Sequence, residues 1–184
     1  MIKNMENRSP RGSLWSVAVW SLAALLLLLP VAAMQFTEEV NWGPADFIIF
    51  GAMLLAACGI YELAARMTGS RAYRATVGVA VATAFILIWI NLAVGIIGTE
   101  DNPANLMFGG VIAIGIIGAL IARFQPQGMA RALLATAIAQ ALAGVIGSVA
   151  GWGEEAVVLP IFFTALWLAS AWLFRKAARR EQFR

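Results

Sequence analysis

Apolar residues in this chain fall into long unbroken runs instead of the alternation of a strand or the one-sided stripe of a surface helix. Six runs, at residues 14–34, 45–66, 73–98, 104–123, 129–150 and 156–174, are separated by short polar breaks. Each holds roughly 19 to 26 residues, enough at about 1.5 Å rise per residue to cross a hydrocarbon layer of about 30 Å. The pattern predicts an all-α integral membrane protein: one transmembrane domain over 1–184, a six-transmembrane-helix bundle built as three antiparallel hairpins, with short tails at 1–13 and 175–184. Composition agrees, since 61% of the 184 residues are hydrophobic and 12% charged, against about half and about a quarter in soluble domains.

Charge gives the runs a direction. All 13 Lys and Arg fall in the two tails or around the second and fourth breaks: Lys3, Arg8 and Arg11; Arg66, Arg71 and Arg74; Arg123 and Arg131; Arg175, Lys176, Arg179, Arg180 and Arg184. The other three breaks carry Glu38, Glu39, Asp46, Glu100, Asp101, Glu154 and Glu155 and no cation. The positive-inside rule then places both termini in the cytoplasm. Basic residues so distributed are membrane flanks, not the single patch of a nucleic-acid binder. Trp15, Tyr73 and Trp172 fall near the inner interface, Trp42 and Trp152 near the outer one, and Trp20, Trp89 and Trp167 deeper.

A second reading of the start is a removable signal peptide, with 1–13 as its basic region and Val31-Ala32-Ala33 as a small-residue cleavage site. The apolar stretch is long for that role and removal leaves five spans, so the six-span reading is preferred. The hairpins also repeat in sense, each turning through an acidic pair and returning to an arginine. Charge rules alone give any hairpin series this look, and duplication is not needed to explain it.

Candidate chemistry is sparse. There is no histidine and one cysteine, Cys58, so histidine-based triads, His/Cys metal sites and intrachain disulfides are excluded. No phosphate-binding loop or zinc-protease motif occurs, and the segments outside the spans are too short for a catalytic domain. The expectation is a non-enzymatic protein without cofactor or bound metal.

Four features remain. The acidic pairs Glu38-Glu39, Glu100-Asp101 and Glu154-Glu155 stand where even-numbered helices begin, a place that favours carboxylates electrostatically. In "EDNPAN" Asn102 is the expected N-cap and Pro103 the first helical residue, and "GPAD" offers the same device with Pro44 and Asp46. The functional alternative is an outer acidic rim that gathers cations, Asn102 and Asn105 adding oxygens. Glu62, the acidic residue within a span, lies four residues before Arg66 and pairs with it on one face, or else couples a proton or cation. Asn91 and Gln140 are the amides deep in spans, either glue between helices or the lining of a common polar cavity. The fifth span carries two small-residue ladders, Ala132, Thr136, Gln140, Gly144, Ser148 and Ala135, Ala139, Ala143, Gly147, Gly151, which let helices approach closely; Ala139, Ala143, Gly144 and Gly147 are its expected packing residues. That span is placed at the centre of the bundle or at an oligomer seam. The fourth span adds Gly110, Gly115, Gly118 and Ala122. The sixth, with Phe162, Phe163, Trp167, Trp172 and Phe174, is expected to face lipid, and Pro30 to bend the first.

The run 91–105, "NLAVGIIGTEDNPAN", with the topology before it, resembles small multi-pass inner-membrane proteins of bacteria. That resemblance implies a location and brings no site residues. In size and span count the chain also matches the substrate-capturing subunits of vitamin uptake systems, an analogy of fold alone. The functional expectation is transport or permeation of a small cation or small solute, with Glu62, Asn91 and Gln140 along its path. The alternative is an accessory or scaffold subunit that docks another membrane protein through small-residue faces. Partners besides the lipid bilayer are further copies of the chain or another membrane protein.

Overall fold

The structure, a computed structural model, describes residues 10–67 and 70–182. Its helices are α1 (Pro10–Ala33), α2 (Pro44–Met67), α3 (Arg71–Ala93), α4 (Leu106–Ile121, led in by a 3-10 turn at Pro103–Asn105), α5 (Pro126–Val149) and α6 (Glu155–Gln182), with no strand among the described residues. Six are long and apolar enough to cross a membrane, the fourth counting its lead-in turn. The chain divides into two compact units, Met1–Leu63 and Ala64–Arg184.

The first unit is a lightly joined pair. Gly51 of α2 leaves room for Leu27 of α1, whose Cδ1 would stand 3.9 Å from a Cβ placed there. Nearer the other end of the pair, the Ser16 hydroxyl donates to the Glu62 carboxylate. Pro44 opens α2, and the Asp46 carboxylate accepts from the Gly43 N–H at 2.7 Å, the capping device expected of "GPAD". Trp42 sits edge-on to Phe47 and Phe50 at 5.2 and 5.3 Å. Leu22, Leu25, Leu28 and Leu29 of α1 and Leu55, Ile60 and Leu63 of α2 are exposed, an apolar surface compatible with contact to a lipid bilayer.

In the second unit α5 lies between α4 and α6, and α3 packs against α6 and, more lightly, α4. Buried α6 residues run Ala156, Pro160, Phe163, Trp167, Ser170, Phe174 and Ala177, alternating four and three apart. On α3 the series Tyr73, Thr76, Ala80, Thr83 and Leu87 keeps the same rhythm. Such a seam keeps one face turned to its neighbours along the whole length of a helix. The expectation that the aromatic residues of the sixth span face lipid is therefore corrected: Phe162 and Trp172 are exposed, but Phe163, Trp167 and Phe174 are core. The reason is that α6 packs against both α5 and α3, so its inward stripe is enclosed on two sides, Phe174 by Tyr73 of α3. Tyr73 is likewise buried, its ring edge-on to Phe174 at 5.4 Å and its hydroxyl donating to the Phe124 carbonyl in the α4–α5 turn.

Close approach along α5 depends on glycine. A Cβ on Gly118 of α4 would lie 2.7 Å from the Ala132 Cβ, and one on Gly144 would lie 2.8 Å from the Pro160 Cβ. Gly147 backs onto Ala156, whose carbonyl oxygen would be 2.9 Å from an added Cβ. Pro160, having no N–H, leaves that carbonyl without its helical donor, and the Gly147 Cα–H group is the neighbour that faces it.

Two boundaries differ from expectation. The third span, predicted to run to Gly98, is helical only to Ala93. The hydropathy continues through Val94-Gly95-Ile96-Ile97, but Gly95 adopts φ +77 and turns the chain back, and Ile96 and Ile97 are buried at 1% exposure each. At the other end of the chain, α6 stays helical through Gln182, past the apolar run that ends at 174.

Candidate functional site

Most buried polar side chains of the second unit spend their hydrogen bonds locally. Thr76, Thr83, Thr136 and Ser170 are at most 2% exposed, and each hydroxyl donates to the carbonyl four residues earlier on its own helix. Hydroxyls satisfied in this way sit in an apolar interior at little cost.

Asn105 is satisfied by the loop beside it. Its Oδ1 accepts from the Ile96 and Ile97 N–H groups at 3.0 and 2.9 Å, and its Nδ2 donates to the Ile97 and Thr99 carbonyls at 3.3 and 2.8 Å. That exhausts the capacity of a primary amide. Asn102 caps the following turn by accepting from the Ala104 N–H, as its position before Pro103 predicts. The Asn102 and Asn105 side-chain oxygens considered for a cation thus serve the backbone. Asn91 donates to the Asn105 carbonyl at 3.3 Å, while its own Oδ1 has no partner.

Gln140 departs from this pattern. Its side chain is fully buried, and neither Nε2 nor Oε1 has a hydrogen-bond partner. It sits on the α5 stripe that passes from one neighbour to another: Thr136, one turn before, meets Gly115 of α4, and Gly144, one turn after, meets Pro160 of α6. The antiparallel register of those α5–α6 contacts puts Gln140 level with Phe163 and Thr164. Trp167 lies one turn further along α6, also buried, and its indole N–H is unpartnered as well. An unpaired buried polar group costs about 1–3 kcal/mol, and here the indole lies about one turn along α6 from the level of the amide.

Two adjoining recesses lead toward this level. One, of about 470 Å³, opens at the acidic end between Ser148, Gly151, Gly153, Glu154, Val157 and Val158. The other, also about 470 Å³, runs along the α5–α6 seam and shares Ser148 and Val157 with the first. Its lining continues past Gly144 and Pro160 to Ala141, Thr164, Ala165 and Leu168, so the groove passes the level of Gln140, whose neighbours Ala141 and Gly144 line it while Gln140 itself does not. The groove is mainly apolar and open along its side, with Ser148 and Glu154 toward its mouth and Thr164 further along, its hydroxyl donating to the Pro160 carbonyl at 2.7 Å. The sequence reading missed this groove, because it exists only once Pro160 is laid against Gly144. The proline within α6 and the glycines facing it were the signal available.

The other candidates lie elsewhere. Glu62 belongs to the first unit, where Ser16 bonds it. Glu38 and Glu39 are exposed in that unit, and Glu100, Asp101, Glu154 and Glu155 are exposed in the second; among the described residues no three acidic, histidine or cysteine side chains gather into a metal-holding group. Of the packing residues, Ala143, Gly144 and Gly147 are buried and Ala139 is half-buried.

Fold and site together define a multi-pass α-helical protein with membrane-spanning dimensions, a lateral groove and an unpaired interior amide. Compared with known proteins, the chain matches no family model, no curated protein and no solved structure. The functional argument therefore rests on this geometry.

Proposed function

We propose that this is a non-enzymatic multi-pass protein of the bacterial inner membrane, both termini cytoplasmic, that binds and passes a small solute along the α5–α6 groove. The observation that carries the reading is the Gln140 amide, held without a partner at the level of the groove, one turn along α5 from the Gly144 that lines it. A leucine would fill that place without the desolvation cost, and an amide supplies both a donor and an acceptor to a polar group arriving from the groove. Of the two cargoes considered, a small solute with an apolar body and one polar group fits better than a cation. Hard cations such as Ca²⁺ take six to eight oxygens, and the groove is lined by a single carboxylate, at its mouth.

The scaffold reading has less to draw on where the glycines are spent within the chain, Gly118 on Ala132, Gly144 on Pro160 and Gly147 on Ala156, and keeps Gly110 and Gly151, which face open space. The test is uptake of a panel of small neutral, amphipathic and cationic solutes into proteoliposomes. Uptake of an amphipathic solute that is lost in both Gln140→Leu and the groove-filling Ala141→Trp supports the reading. Uptake unaffected by either change, or no uptake of any solute, contradicts it.

A further inference from the structure

At the end of the α5–α6 pair opposite the acidic mouth lies a separate recess of about 330 Å³, lined by Gln127, Ala130, Arg131, Arg175, Ala178 and Arg179. Its floor is apolar and closed, Ala130 and Ala178 being 1% and 6% exposed. Three guanidinium groups from two helices surround it, and among the described residues no carboxylate pairs with any of them. Arg175 and Arg179 are four apart on one helix face, a like-charge arrangement that is unfavourable without an anion between. Lys176, on the neighbouring face, is engaged instead with the Trp172 ring at 5.0 Å. The first turn of α5 adds its unpaired N–H groups at the same end, since Gln125 makes no side-chain cap and Pro126 begins the helix.

We propose that this recess binds a phosphate group of net negative charge, presented by an anionic phospholipid headgroup. Planar guanidinium groups grip phosphate oxygens in pairs, and the three arginines stand where the apolar stretches of α5 and α6 end, the depth of a headgroup if these helices span a membrane. Basic pockets between spanning helices hold lipid headgroups in this way. The inference rests on the membrane reading but not on solute transport, and binding is measured independently of flux.

The experiment is native mass spectrometry of the full-length protein in mild detergent, titrated separately with phosphatidylglycerol, phosphatidylcholine and inorganic phosphate. The variants are Arg131→Gln/Arg175→Gln/Arg179→Gln, the corresponding triple Lys variant and Lys176→Gln. Phosphatidylglycerol is expected to bind in clear preference to phosphatidylcholine, to weaken roughly a hundredfold in the triple Gln variant, to weaken less in the triple Lys variant and to be unchanged in Lys176→Gln. The Lys variant retains the charge, so it keeps the test valid if the Gln variant folds poorly. Inorganic phosphate binding with the same variant dependence, and no preference for phosphatidylglycerol, overturns the lipid source and leaves a free-phosphate site. Phosphatidylglycerol binding that is equal in wild type, triple Gln and Lys176→Gln overturns the site itself.

Discussion

The acidic-end loop around Asn105 and the bundle middle around Gln140 hold the same functional group at nearly the same burial, 4% and 0% exposed. They use it in opposite ways. Asn105 makes four hydrogen bonds and fixes a turn that hydropathy alone would have continued as helix. Gln140 makes none. Asn91 falls between them, its Nδ2 engaged and its Oδ1 free. The contrast separates an amide that builds the fold from one the fold carries at a cost, and it yields a graded set of expectations.

The largest effect is expected at Gly95. A Cβ there would lie 2.5 and 2.6 Å from the Thr99 carbonyl carbon and oxygen, with φ at +77, and neither strain relaxes without moving backbone. Gly95→Ala should cost about 4 kcal/mol, read as a lowered thermal midpoint in detergent. Asn105→Leu comes next at about 3 kcal/mol, because it leaves the Ile96 and Ile97 N–H groups buried and unpaired; hydrogen exchange at those two amides should rise with it. Gly147→Val presses a side chain into the Ala156 carbonyl and should cost about 2 kcal/mol, disturbing the α5–α6 seam while leaving the Asn105 loop protected from exchange. Asn91→Leu exchanges one hydrogen bond for the removal of one unpaired oxygen, so its effect should stay within about 0.5 kcal/mol of zero. A large loss there would show that the amide series does not follow hydrogen-bond satisfaction.

How far the sequence reveals this arrangement depends on what each feature needs. Span number and approximate position follow from hydropathy and length, properties of each segment alone. The Asn102 cap also follows, being local. The end of α3 does not, because Ile96 and Ile97 are as apolar as a span, and only the positive φ of Gly95 together with the bonds from Asn105 to Ile96 and Ile97 turns them inward. Phe163, Trp167 and Phe174 are hidden for a related reason: aromatic bulk suits a lipid face or a core equally, and only the packing of α6 against both α5 and α3 decides for the core. Their four-and-three spacing with Ala156, Pro160 and Ser170 was nevertheless present in the sequence. Gln140 stands out as a polar residue in a span, but its lack of a partner and its place beside the groove are properties of several helices together.

The central claim is that the fold does not use the Gln140 amide. The most direct test compares the thermal midpoints of Gln140→Leu and Asn105→Leu in the same detergent. Replacing a buried, unpaired amide with an apolar side chain of similar size should stabilise by about 1 kcal/mol, so Gln140→Leu is expected to melt at or above the wild-type temperature while Asn105→Leu melts well below it. If Gln140→Leu is destabilised as strongly as Asn105→Leu, the amide is structural glue and the account built on it is wrong.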